Sequence, residues 1–234
     1  MPELFAASAA WLLTHLGLSG SPLRAVLVRR IGEGPYRGLY SLIAVGALAW
    51  LILAWAGVPQ ADAPRTMLLW ESAGWLRWIP VLIMPLALIL LVGGLSGPNP
   101  TAVGQERQLG AGDSVRGVLR ITRHPVQWAI LLWALTHLAA NGDAATLLFT
   151  ATIGLTSALG MALIDRRKAS DDPAAWSAFA AASSALPFAA IASGRNRLAI
   201  GEIGVLRIAA ALVLYGLAFH FHRWIAGVPV VLAG

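Results

Sequence analysis

Arg123-His124-Pro125 is the segment of this chain with the most chemistry per residue. It closes a basic stretch (Arg116, Arg120, Arg123) and opens an apolar run that holds a second histidine, His137. An imidazole can ligate a metal or carry a proton near neutral pH. Arginine forks match carboxylate or phosphate in a bidentate way. The other histidines are His15, His220 and His222, and there is no cysteine. Disulfides, thiolate haem ligation, cysteine-held iron–sulfur clusters and covalent c-type haem are therefore excluded. Any metal or haem must be held by histidine or oxygen.

The elements that position these groups are membrane helices. Of 234 residues, 58% are hydrophobic and 12% charged, and the mean hydropathy is +0.71, far from soluble usage, where roughly a quarter of residues are charged. The apolar residues fall in blocks of the length an α-helix needs to cross a hydrocarbon core of roughly 30 Å. Outer-membrane barrels, with alternating strands of about 10 residues, do not fit. The sequence predicts an all-α polytopic bundle of about six spans, at 4–19, 38–57, 75–96, 125–140, 144–164 and 204–222. Pro80 and Pro85 predict a kink in the third. The stretch 176–193, rich in Ala and Ser and broken by Pro187, reads as half-buried or interfacial. With no internal repeat or low-complexity tail, residues 1–234 read as one domain. The start Met1-Pro2-Glu3 lacks a basic n-region, so the first span is expected to be retained.

Charge predicts orientation. Of the 17 basic residues, all but Arg65, Arg77 and Arg223 fall in loops on one face, which the positive-inside rule makes cytoplasmic, with both termini outside. The net charge of +6 then follows from topology and anionic lipid, and no nucleic-acid partner is implied.

Depth limits which histidines can share one iron. His15 lies near the cytoplasmic end of the first span, before Gly17 and Gly20, and His124 at the cytoplasmic start of the fourth. His137 is about 20 Å further along the same helix and belongs to the opposite leaflet with His220 and His222. Axial ligands lie about 4 Å apart through the metal, so His15 with His124 is allowed and His124 with His137 is not. His137 with His220 is a second allowed pair. The plainer role for His124 is a helix N-cap, with Pro125 in the first turn where its missing N–H costs nothing.

These residues carry a family resemblance. The run Arg30-Ile31-Gly32-Glu33-Gly34-Pro35-Tyr36-Arg37-Gly38-Leu39-Tyr40-Ser41-Leu42 resembles the signature of NnrU-type membrane proteins, associated with bacterial denitrification. So do Arg123-His124-Pro125 with Trp128, Trp133 and His137, then Asn141-Gly142-Asp143, Asp165-Arg166-Arg167, and Leu186-Pro187-Phe188-Ala189-Ala190-Ile191 with Gly194-Arg195. The family is similar to the 15-cis-ζ-carotene isomerase, an integral membrane enzyme using haem b held by two histidines. The resemblance implies haem b here, with His15 and His124 as axial metal ligands and His137 in reserve. Of the arginines on that face, Arg37, Arg120 and Arg123 are the candidates for cofactor binding, one or two of them at haem propionates or at a cofactor phosphate or carboxylate, and Asp165 would anchor Arg123 or orient a histidine N–H. It implies a bacterial cytoplasmic membrane protein, with a membrane redox partner in nitrogen-oxide respiration or with a lipophilic polyene to isomerise.

The same Arg-His-Pro motif resembles small integral-membrane methyltransferases that bind S-adenosylmethionine. Gln127 and Trp128 stand where those enzymes have a tyrosine and a glycine, and Asp165-Arg166-Arg167 where they have paired glutamates. A cofactor-free membrane assembly factor is the third class open at this point.

Overall fold

The computed structural model describes residues 1–18, 21–58, 68–70, 74–105, 108–109 and 114–230. Gly20, Arg65 and Arg107, used in the sequence reading, lie outside the described residues. The described secondary structure is helical throughout, with one isolated bridge between Leu68 and Asp143.

Helix α1 (Pro2–Leu12) passes without a break into a π-helical turn, Leu13–Leu18. Then follow α2 (Pro22–Ile31), α3 (Glu33–Ala56), a 3-10 turn Gly74–Arg77 leading into α4 (Trp78–Ser96), and a 3-10 turn Gly117–Arg120. Next come α5 (Pro125–Ala140), α6 (Ala144–Asp171), α7 (Pro173–Ala182), the single turns α8 (Ala189–Ala192) and α9 (Ile200–Ile203), and α10 (Val205–Ala226). Four of these are long and apolar enough to cross a membrane: α3, α4 with its 3-10 turn, α6 and α10. Helix α5 is apolar but shorter.

The spans expected from the sequence fall on these elements, with altered ends. Helix α6 continues to Asp171 and α10 to Ala226, because no proline or glycine interrupts the polar extension of either. The stretch 38–57 starts earlier, at Glu33, where Gly32 at φ +86° lets the chain turn out of α2. Helix α2 was read from the sequence only as a basic loop. Ser21 accepts from the Leu23 N–H and Pro22 occupies its first turn, the combination that starts a helix. The stretch 176–193 divides into α7 and the turn α8. At ten residues α7 is too short to cross a bilayer. Its Trp176 and Phe179 are buried against Leu109, Val115 and Leu119.

Two clusters hold the bundle. At one end Leu4, Ala7, Leu51, Ala54, Val58, Ala145 and Phe149 join α1, α3 and the start of α6. Nearer the other end, Leu90, Val118, Ile121, Ala129 and Ile203 join α4, α5 and the loops before α5 and α10. Small residues allow close approach: a Cβ on Gly154 would sit 2.9 Å from the Ala134 Cβ, so α5 and α6 pack nearly backbone to backbone there. Outward, Leu42, Leu53, Leu82 and Leu206 are exposed. A bundle whose long apolar side chains point outward in this way is built for a hydrocarbon solvent.

Candidate functional site

Arg123-His124-Pro125 sits at the centre of a buried polar hub. Pro125 begins α5 and His124 is its N-cap residue, yet the imidazole makes no cap bond. It turns inward, fully buried, and its Nε2 lies 2.6 Å from Oδ1 of Asp165 on α6. Arg123 engages the same carboxylate in bidentate fashion: Nε is 3.2 and 3.1 Å from its two oxygens, and Nη2 donates to Oδ2. The guanidinium also stands 5.5 Å from the ring centre of Trp176. A carboxylate only accepts, so Nε2 donates to Asp165. The His124 Nδ1 is buried with no hydrogen-bond partner among the described residues.

Three loops close over the hub through backbone atoms. The Arg123 N–H donates to the Ser184 carbonyl at 2.9 Å, and Phe188 N–H to Ile121 O at 2.8 Å. Thr122 Oγ1 and Trp128 Nε1 both donate to the Ala185 carbonyl, at 2.8 and 2.7 Å. From the end of α4, Thr101 Oγ1 donates to Arg123 O at 2.9 Å. Phe188 takes a left-handed φ of +64°, an uncommon conformation for an aromatic residue, and its N–H bond to Ile121 helps hold it. Segments far apart in sequence, 98–101, 121–125, 165 and 184–190, thus form one knot.

The other arginines predicted to meet a cofactor are also paired. Arg120 grips Glu202 with Nε at 2.7 Å and Nη2 at 2.9 Å, while its Nη1 donates to Asn196 Oδ1 at 2.8 Å. The Gly117 N–H adds a third bond to the carboxylate, to Glu202 Oε2 at 3.1 Å. Arg120 and the Gly117 N–H hold the Glu202 carboxyl at about 2, well below its usual 4.5. Arg37 pairs with Glu33 at 2.8 Å, one helical turn away, and Arg24 meets the same carboxylate at 2.7 Å. Propionates at any of these three arginines would have to share them with Glu33, Glu202 or Asp165.

The remaining histidines form two further settings. In the π-helical turn His15 stacks on Trp11, with ring centres 3.7 Å apart, and its Nδ1 is 3.0 Å from the Trp11 carbonyl oxygen. Tyr40 of α3 stands edge-on at 6.0 Å. His137 repeats the arrangement in α5: it lies 4.8 Å from Trp133 and its Nδ1 is 2.7 Å from the Trp133 carbonyl oxygen. The two settings share a sequence pattern, Trp11-Leu12-Leu13-Thr14-His15-Leu16 and Trp133-Ala134-Leu135-Thr136-His137-Leu138. In both, the carbonyl four residues back is the natural acceptor for Nδ1–H. Near His137 stands His222 of α10, ring centres 6.3 Å apart, its own Nδ1 2.7 Å from the Val228 carbonyl oxygen. The sequence allowed His137 with His220 as a second pair; the His220 ring stands edge-on to Phe221 and tilted beside Trp224 on its own helix.

Depth can be read along α6. Trp11 Nε1 donates to Thr156 Oγ1, while Leu4 and Ala7 pack near Ala145 and Phe149, so α1 and α6 run in the same direction. Asp165 lies about 13 Å beyond Thr156, and His15 about 6 Å beyond Trp11, at 1.5 Å per residue. His15 and the His124–Asp165 pair are therefore within about 7 Å in depth. Their immediate neighbours differ: His15 touches Trp11 and Tyr40, His124 the Asp165 carboxylate. His137 is at the other end, where α5 passes into α6 through Asn141-Gly142-Asp143. Asp143 caps α6 by accepting from the Thr146 N–H at 2.8 Å, and Gly142 backs onto Trp70 so closely that a Cβ would fall 1.8 Å from the Trp70 carbonyl oxygen.

An all-helical membrane bundle with a buried Arg-His-Asp knot at one end and a histidine pair at the other is the class that fold and site define. Within that class the chain belongs to the NnrU family: the family's sequence model, described as NnrU protein, matches residues 3–230, nearly the whole chain. No curated protein and no solved structure gives a match. Of the family motifs recognised in the sequence, Arg123-His124-Pro125, Asp165 and the segment 186–191 meet in the knot and Asn141-Gly142-Asp143 makes the α5–α6 turn, while the run 30–42 lies at the α2–α3 junction.

Proposed function

We propose that this protein is a haem-b carrier of a bacterial cytoplasmic membrane, acting in one-electron transfer or sensing in nitrogen-oxide respiration. It would cross the membrane six times, by α1 with its π-helical turn, α3, α4, α5, α6 and α10, with both termini outside. The two shorter crossings, α1 and α5, pack against α6, where protein rather than lipid satisfies their ends. Basic residues concentrated at the knot end support the orientation.

The observation that carries the haem reading is the state of the imidazoles. His137 and His222 each have Nδ1 2.7 Å from a backbone carbonyl oxygen, the outer-shell bond that metal-ligating histidines make. Their rings stand 6.3 Å apart, so His137 and His222 would be the residues to hold the group. His15 is similarly prepared, but His124 offers Nδ1 only, because Asp165 holds Nε2. When bound, haem b supplies one-electron redox chemistry at iron. The chain's own part is to fix the tautomers through Trp133 and Val228, and to exclude water with Trp133 and the apolar faces of α5 and α10.

The test is the oxidised and reduced optical spectrum of wild type and of His15→Ala, His124→Ala, His137→Ala and His222→Ala. Wild type should show a Soret band with split visible bands on reduction, lost in the His137 and His222 variants and kept in the other two. Loss in the His15 and His124 variants alone would move the iron to the knot end. A colourless protein from haem-replete cells that takes up no haem on titration would end the proposal. Turnover of a cis-polyene by the reduced protein would replace electron transfer with isomerisation.

A further inference from the structure

The stretch from Pro173 to Gly201 contains no acidic residue, and its only charges are Arg195 and Arg197. Neither meets a carboxylate among the described residues. Arg195 donates to neutral acceptors alone: Nε to Ser193 Oγ at 3.0 Å and Nη1 to the Ala180, Ala181 and Ser183 carbonyls at 3.3, 2.9 and 2.9 Å. The Arg197 guanidinium makes no hydrogen bond or ion pair among them, and both residues are exposed. The same segment turns large apolar side chains outward: Leu186, Phe188, Leu198 and Ile200 are 64, 41, 49 and 59% exposed. Phe188 does so from its left-handed backbone, which glycine or asparagine adopts without the same strain. An aromatic ring kept there, uncovered by protein, implies an apolar surround.

The chain neighbours show what that surround is. Ile200 stands in the turn α9, which feeds α10 directly through Gly204, and α10 is long and apolar enough to cross a membrane. Its first residues, Val205 and Leu206, are exposed as well. The apolar surface of the loop therefore continues along the chain into a surface made for hydrocarbon, where the headgroup layer is only roughly 5–7 Å thick. Arginines among exposed apolar side chains suit the boundary between anionic headgroups and acyl chains. We propose that residues 186–200 form a loop seated in the leaflet at the knot end. Leu186, Phe188, Leu198 and Ile200 enter the acyl boundary, and Arg195 and Arg197 meet anionic headgroups. Ser184 and Ala185, just before the loop, accept the bonds that close the knot, so lipid holding Leu186 and Phe188 holds the knot shut. The surface is independent of the haem reading.

With no cysteine in the chain, a nitroxide on one introduced cysteine reports one position alone. Labels at Leu186→Cys, Phe188→Cys and Ile200→Cys are read by electron paramagnetic resonance in bilayers of phosphatidylethanolamine and phosphatidylglycerol. The readout is the collision rate with oxygen, which concentrates in hydrocarbon, against that with a water-soluble nickel chelate. Leu206→Cys on α10 and Ser170→Cys at the polar end of α6 give the lipid and water references. The three loop labels should prefer oxygen, as Leu206→Cys does. Arg197→Gln, whose side chain has no bond to lose, should lower the ratio of immersed to exposed loop about fivefold, and pure phosphatidylcholine about thirtyfold, from the attraction per basic residue near an anionic surface. Should Phe188→Cys disturb the strap, the labels at Leu186 and Ile200 carry the test. Nickel contact at those two positions equal to that at Ser170→Cys would overturn the proposal. So would shielding from both probes, which would show protein covering the surface, or equal immersion in phosphatidylcholine.

Discussion

Replacing Asp165 by Asn separates the knot's electrostatics from its shape. The side chain keeps its size and an oxygen able to accept from His124 Nε2, but the charge that holds Arg123 is gone. Arg123 and Asp165 expose only 16 and 22% of their side chains, and His124 none. Removing one partner of a fully buried pair costs about 3–5 kcal/mol. Partial exposure screens part of that, so the expected loss is about 2–3 kcal/mol, or about 4–12 °C in thermal midpoint for a chain of this size. The assay is reversible unfolding in detergent of wild type, Asp165→Asn, Arg123→Gln and the double variant. The bidentate contact predicts a coupling energy of about 1–3 kcal/mol between the two positions. Additive losses, or a loss below about 0.5 kcal/mol in Asp165→Asn, would show that the loops hold the knot without the ion pair. His124→Gln should couple to Asp165→Asn as well, because both bonds end on one carboxylate.

The Arg120–Glu202 pair carries a pH dependence. Its carboxyl is depressed from 4.5 to about 2, so the stabilisation is complete above pH 4.5 and is lost as pH falls through that interval. The stability difference between wild type and Glu202→Gln should be constant from pH 5 to 7 and shrink towards pH 2. A difference that ignores pH would refute the assignment. At the opposite end, Gly142→Ala should destabilise by about 1–3 kcal/mol in the same unfolding assay, because its Cβ would fall on the Trp70 carbonyl and backbone must move. A neutral Gly142→Ala would mean that the contact between Trp70 and the α5–α6 turn is not held in the native state.

Much of the architecture was legible along the chain. Hydrophobic runs of helical length located the long helices, since the cost of burying charge in hydrocarbon leaves a mark on composition itself. Helix ends were less legible. They depend on caps such as Ser21 and Asp143 and on the Gly32 turn, which are single residues without a period. Helix α2 was hidden by its three arginines, Arg24, Arg29 and Arg30, and 176–193 by composition that suits a short buried helix as well as a crossing. The Trp-x-Leu-Thr-His-Leu pair needed no structure to find, but its meaning did: only the fold shows that both histidines bond the carbonyl one turn back.

What the sequence by itself determined is the class of solvent, the set of possible ligands and the family. A chain that is 58% hydrophobic and has no cysteine can be little else than a membrane protein whose metals, if any, meet histidine or oxygen. Tertiary structure decided which partner each polar group takes. Asp165 faces His124 and Arg123 because α6 runs past the start of α5, and His222 rather than His220 meets His137 because of how α10 is rotated about its axis. Those pairings span 41, 42 and 85 residues of chain. Contacts at such separations follow from how helices pack and rotate against one another, and no local run of residues encodes that.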